Sequence, residues 1–392
     1  MDALLERPKT GYVKARIFRK ISDIPQKDWT SVYPEVLENY GFFKTLDESG
    51  FEPFSFYYIL VYQDEEVVGA TPCFLMKYPL ETTVRGPLQK LVLAIKKIFP
   101  HAFTLKALIC GLPMDQGRIG IRSEKPQDIL DVILSCMEGI AQETGAGILA
   151  FKDFGCEYEP LLDTLQTDGF YKAHDLPSTA MKISFSDFNG YLKTLSRASR
   201  DGLKRKLKKI DQGPVFDMEV TNRLSPGVLD EVYALYLQTV VQSEDQFEVA
   251  PKEFFARVAE NMPEETRFFL WRKDSRLVGF AYCLVSEDHF IDFYLGFDYA
   301  IAHDVHLYFV RFRDLMNWCL EHGIKTYEMG PTGYEAKRRL GFEMVPLFIY
   351  AKHRNPLINP LFKLMCRFLD PVNHHEMLRN MKKGKESCLP KD

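Results

Sequence analysis

Residues 267–280 read Arg-Phe-Phe-Leu-Trp-Arg-Lys-Asp-Ser-Arg-Leu-Val-Gly-Phe. An apolar run, a charged tip and a second apolar run form the pattern of a β-hairpin. Residues 57–70, Tyr-Tyr-Ile-Leu-Val-Tyr-Gln-Asp-Glu-Glu-Val-Val-Gly-Ala, carry the same pattern a second time. The repeat continues beyond both hairpins. A helical pattern over 128–142 ends at Glu143-Thr144-Gly145 and leads into an apolar strand over 147–151. A second, over 305–321, ends at His322-Gly323 and leads into 324–329. In it Val305, Tyr308, Phe309, Phe312, Leu315, Met316 and Cys319 recur at the helical period. A glycine just past the last periodic residue is a C-cap signal. Each half then returns through a Gly-Phe step: Gly169-Phe170 before a strand over 179–183, and Gly341-Phe342 before one over 345–351. The order predicts a duplicated α/β unit, with an N-terminal domain over 15–185 and a C-terminal domain over 186–355.

A chain of 392 residues with 46% hydrophobic content can build two cores. A net charge of −4 excludes a global attraction to nucleic acid, so no DNA partner is expected. The eight cysteines are scattered, without Cys-x-x-Cys pairs or zinc spacing, so no metal is expected and a reducing cytoplasm fits. Residues 1–19 lack a signal-peptide pattern, and no run is long enough to span a membrane. Residues 356–392 form a basic tail that opens with the helix breakers Pro356 and Pro360. Within it 361–369 is amphipathic around Lys363 and Arg367, and 88–99 repeats the theme around Lys90, Lys96 and Lys97. Such segments either dock on their own core or lie in a bilayer interface, here the inner face of the cytoplasmic membrane. From Lys382 onward the composition reads as disordered.

Hairpin, strand, helix, strand, helix, strand is the order of the GNAT acyltransferase fold. Ile291-Asp292-Phe293-Tyr294-Leu295-Gly296-Phe297-Asp298-Tyr299 resembles the central strand and loop of the FemAB-like, or acetyltransferase-6, branch. Gly330-Pro331-Thr332-Gly333-Tyr334-Glu335-Ala336-Lys337-Arg338-Arg339-Leu340-Gly341 is similar to its Gly-x-Thr-x-Tyr-x-x-Lys-x-x-Leu-Gly segment, and 196–209 to its basic helix. The resemblance implies an α/β tandem GNAT-type fold, mixed central sheets flanked by helices, with a degenerate first copy. It implies an N-acyl transfer enzyme. Some members resemble bacterial ceramide synthases; others resemble peptidoglycan bridge-forming enzymes that use aminoacyl-tRNA. Where ordinary members carry a Gln/Arg-x-x-Gly-x-Gly/Ala loop for the CoA pyrophosphate, this chain has 298–304 without those glycines. The coiled-coil arm of tRNA-using members is also missing from the pattern. The leading expectation is acyl transfer from a thioester, acyl-CoA or acyl carrier protein, to a hydrophobic amine such as a sphingoid base. Aminoacyl-tRNA-dependent transfer to a cell-envelope precursor is the alternative. A non-catalytic lipid- or polysaccharide-binding module is the third reading.

Acyl transfer to an amine needs a base, donors for an oxyanion and a proton for the leaving group. Asp292 and Tyr294 alternate with Ile291 and Phe293, so they are expected on one face of the central strand. The competing reading pairs Asp292 with a buried cation. Tyr334 opens a helix where the fold implies a donor beside the leaving group, and Lys337 follows one turn later as an oxyanion or phosphate contact. His303 and His306 stand at a helix start, a position for a base or phosphate contact. Arg197, Arg200, Lys204, Arg205 and Lys208 make the helix over 197–209 a candidate for a phosphate-bearing cofactor or surface, with Leu203, Leu207 and Ile210 on its inner face.

Overall fold

The computed structural model describes residues 5–6, 13–79, 104–242 and 247–370. The stretch 88–99 and the segment after 370, including the part beyond Lys382, lie outside the described residues. The chain divides into two compact units. One holds Met1–Val36, Phe51–Leu176 and Pro346–Asp392; the other holds Leu37–Gly50 and Pro177–Val345.

The first unit carries β1 (Leu5–Glu6), β2 (Val13–Phe18), β3 (Ser55–Gln63), β4 (Glu66–Pro79), β5 (Thr104–Cys110), β6 (Gly120–Ile121), β7 (Ile148–Gly155) and β8 (Tyr171–His174). The second carries β9 (Ser178–Lys182), β10 (Asp217–Thr221), β11 (Thr266–Lys273), β12 (Arg276–Val285), β13 (His289–Phe297), β14 (Thr326–Met329) and β15 (Glu343–Val345). The last strand, β16 (Leu347–His353), belongs to the first sheet. The sheet orders are β1-β2-β3-β4-β5-β7-β16-β8, with β6 beside β4, and β10-β11-β12-β13-β14-β9-β15. Each is an antiparallel meander that meets one parallel neighbour, β5 with β7 and β13 with β14. These are two mixed sheets of the tandem kind.

The repeat holds down to single dihedrals. Both hairpins turn on two left-handed residues, Asp64 and Glu65 (φ 49° and 66°) and Asp274 and Ser275 (φ 49° and 65°). Two positive φ values in a two-residue loop define the turn whose twist matches paired strands. The helices Pro126–Thr144 and Leu307–Glu321 are followed by left-handed glycines, Gly145 (φ 71°) and Gly323 (φ 73°). Ile129, Leu130, Ile133 and Met137 of the first helix and Val310, Phe312, Leu315 and Met316 of the second are fully buried. Burying each such side chain is worth about 1.5–3 kcal/mol.

The domain limits need one correction. Boundaries of 15–185 and 186–355 keep the strands after Gly169 and Gly341 in their own halves. Instead they are exchanged: β9 pairs with β14 and β15, while β16 pairs with β7 and β8. The linkers explain the exchange. Only Pro346 separates β15 from β16, and one residue cannot reverse a strand. Between β8 and β9 stand Asp175, Leu176 and Pro177. Proline pushes its predecessor into extended backbone, so both chains run straight on.

Candidate functional site

In the second unit β13 and β14 pair from His289–Thr326 to Asp292–Met329. There β14 stops while β13 runs on to Phe297. From Phe293 onward no strand among the described residues pairs with β13 on that side. Its backbone donors and acceptors are the groups an extended ligand can take. The end of β14 is firmly made. The Thr179 hydroxyl donates to the Met329 carbonyl at 2.8 Å. Pro331 then ends the ladder, and Thr332 (φ 71°) and Gly333 (φ 62°) turn the chain into the short helix Tyr334–Arg339. A β-branched residue at positive φ is strained, so the surrounding fold imposes this loop.

One oxygen of Asp292 is tied into the core. Its side chain is buried, and it accepts hydrogen bonds from Arg311 Nη1 and, at 3.1 Å, from the Tyr327 hydroxyl. Arg311 is wholly buried. The buried-cation reading therefore holds, and a carboxylate bound this way orders the core. The sequence reading missed Arg311. Its signal was a charge within the apolar pattern of the helix, where Leu307, Val310, Leu315 and Trp318 surround it in burial.

Lys337 lies beside this pair and is itself buried. Its ammonium donates to the carbonyls of Gly330 and, at 3.3 Å, Pro331. Burial lowers its pKa to about 8; Asp292 opposes the shift and Arg311 adds to it. An ammonium has three donors, and two are spent on the loop carbonyls.

Tyr294 departs from the expected face. A bulge at Phe293 lets Tyr282 oppose Tyr294 while Cys283 opposes Asp292. One extra residue reverses the alternation. Asp292 thus faces the helix Leu307–Glu321, while Tyr294 packs among Tyr236, Phe254, Phe255 and Tyr282. Tyr334 is at the expected helix start, and its hydroxyl donates to the Pro177 carbonyl at 3.0 Å.

His303 and His306 are brought to a different place. With Lys209, Asp304 and Phe216 they line a pocket of about 340 Å³ between the end of the basic helix and the start of Leu307–Glu321; Asp292, Tyr294, Tyr334 and Lys337 do not line it. His306 is the left-handed residue before that helix (φ 53°). The turn over 298–306 is built on Asp298, which is buried, pairs with Arg276 at 2.6 Å and accepts from the Ala300 amide at 3.1 Å.

The basic helix spans Arg197–Asp211, capped by Ser196, with Leu203 and Ile210 buried and Leu207 packed beside them. Lys204, Arg205 and Lys208 are exposed, Arg200 is half-buried, and Arg197 reaches Asp201 at 3.8 Å. Lys206, which the sequence reading did not single out, stands 3.6 Å from the Phe309 ring centre. Burial and then the nearby Arg339 lower its pKa. Among the described residues no group of His, Cys, Asp and Glu is arranged to hold a metal.

A family model described as peptidoglycan biosynthesis/recognition, the FemAB-like family, matches residues 104–387. Proteins of two Mycobacterium tuberculosis strains, provisionally named 8-amino-7-oxononanoate synthase 2, are 26% identical over 324 residues, 80% of this chain and 42% of theirs. The chain thus spans less than half the length of these curated relatives. Among solved structures, FemX is 13% identical with a TM-score of 0.55, covering 88% of this chain and 99% of FemX. A tandem GNAT protein from the clavulanic acid biosynthesis pathway is 9% identical with a TM-score of 0.51, again covering 88% and 99%.

Proposed function

This chain belongs to the FemAB-like family, and from that premise we propose that it moves an aminoacyl group onto the amine of a cell-envelope precursor. It is an enzyme of the acyl- and aminoacyl-transfer kind. The family's description points to peptidoglycan, and nothing found points to a sphingoid base, so the cell-envelope reading replaces the ceramide reading. The donor is an aminoacyl ester in this proposal; thioester donors, acyl-CoA among them, are the other branch of the same chemistry.

The observation that carries the proposal is the open edge of β13 beside the buried ammonium of Lys337. An extended acyl or peptide segment would add to that edge through main-chain hydrogen bonds. Its reacting carbonyl would then lie near the end of β14, where the remaining Lys337 donor meets the charge that develops on the carbonyl oxygen. A preorganised donor in such a water-poor place is worth about 10²–10³ in rate. Asp292 and Arg311 hold the wall behind Lys337, and Tyr334 fixes the loop from the far side. The cations of Arg197–Asp211 supply a surface for the phosphates of a nucleic-acid donor or a phosphorylated acceptor.

The test is transfer from charged tRNA to a purified peptidoglycan precursor bearing a free primary amine, with and without ribonuclease. Ribonuclease-sensitive transfer supports the reading. Transfer that survives ribonuclease and follows an acyl thioester would replace the donor.

A further inference from the structure

The helix Asn359–Leu369 is apolar on more sides than the protein covers. One face is docked: Phe362 is buried near His353, and Asn359 accepts from the His353 amide at 2.9 Å. At its C-terminal end Asp370 is buried 4.0 Å from His174. The opposite face is largely exposed. Leu361, Leu364 and Phe368 recur at helical spacing and are 68%, 51% and 67% exposed, and Leu357 and Ile358 just before them are 88% and 45% exposed. Five large apolar side chains in twelve residues form a contiguous patch, whereas isolated exposed apolar residues would need no account.

The charge around the patch has one sign. Lys363 and Arg367 flank the stripe, and the helix contains no acidic residue. The sequence that follows adds Arg379, Lys382, Lys383, Lys385 and Lys391 against Asp370, Glu376, Glu386 and Asp392. A second copy of this chain would bring two such basic flanks together, since a two-fold contact repeats the same patch on both sides. An anionic lipid surface instead meets both features, apolar side chains entering the acyl boundary and cations among the headgroups. No described helix is long and apolar enough to cross a membrane, so the helix would lie in the interface.

We propose that Asn359–Leu369 is a membrane-docking helix that seats Leu361, Leu364 and Phe368 in the interface of a bilayer rich in anionic lipid. This goes beyond the transfer reaction and does not depend on it.

The test is sedimentation of the full chain with vesicles of phosphatidylglycerol mixed with phosphatidylcholine, and with phosphatidylcholine alone. Binding to the anionic vesicles that weakens with salt is expected. Leu364→Asp with Phe368→Asp should lower the partition coefficient by roughly a hundredfold. Lys363→Gln with Arg367→Gln should lower it by roughly thirtyfold, and this second pair keeps the test valid if the first disturbs folding. Three results would overturn the proposal: no binding to anionic vesicles, equal binding to neutral ones, or a concentration-dependent doubling of mass that the Leu364 and Phe368 changes abolish.

Discussion

Each sheet has one parallel junction, and the strand that runs on past it is the later one, β7, in the first unit and the earlier one, β13, in the second. In each, a short parallel pairing ends after four residue pairs, at Cys110–Phe151 in the first unit and Asp292–Met329 in the second. In the first, the space beside the continuing strand β7 is filled by the chain itself. Gly117 bridges to Phe154, and its amide donates to the Asp153 carbonyl at 3.0 Å. In the second, β13 continues to Phe297 with nothing of the kind beside it. Cys110, touched by the Thr71 hydroxyl at 3.1 Å, stands where the second unit has Asp292 and its buried arginine. The counterpart of β13 in the sheet order is β5, which lacks an acid. The same scaffold thus has one junction filled by the chain and one beside which no described strand pairs, and the proposed chemistry lies at the second.

The largest expected effect falls on the pair behind the open junction. Arg311→Met should cost about 3–5 kcal/mol in denaturant unfolding, because it strands the Asp292 charge in the core. Adding Asp292→Leu should restore most of the loss. Cys110→Ala at the matching place should cost only about 1 kcal/mol. Restoration by the double change would show that the pair is structural; a stable double variant without turnover would return Asp292 to the chemistry.

Lys337→Met comes next. It should cut turnover about 10²–10³-fold per folded molecule if the ammonium meets the developing oxyanion. The pH dependence sharpens this. Activity carried by the charged form should fall as pH rises through about 8, the pKa of the buried amine. Stability should move the other way. Between about 8 and the ordinary lysine value the unfolded chain binds more protons than the folded one, so this group's contribution to stability rises with pH. An activity profile that rises through the same window would reverse the role and make the neutral amine the working form.

The smallest effect belongs to the plug. An added Cβ at Gly117 would stand 2.3 Å from the Lys152 carbonyl oxygen, and a backbone atom cannot swing aside. Gly117→Ala should therefore cost about 1–3 kcal/mol in stability and leave turnover per folded molecule unchanged. A comparable loss of turnover would mean that the first unit takes part in the reaction.

Much of the fold was legible because it rests on local rules. The hairpins declare themselves through alternation and turn chemistry, the two long helices through period and terminal glycine, and the basic helix through its charge and its Leu203 and Ile210 face. Lys337 and Tyr334 stand out in the sequence because one short segment, 330–341, carries both. What failed depended on partners distant in sequence. The Phe293 bulge, which separates Asp292 from Tyr294, is decided by how β13 pairs with β12. The fate of Asp292 depends on Arg311 across the core, and no spacing rule joins a strand residue to a helix residue nineteen positions away. The exchange of β9 and β16 is a choice of sheet, made by pairing with strands far away in the chain. The sequence by itself determined the elements and their duplication, because dihedral preference and amphipathic period act over a few residues. Only the tertiary structure decided which strand joins which sheet, which junction is plugged and which charges are spent on the core, because those outcomes are fixed by packing and desolvation between segments far apart in the chain.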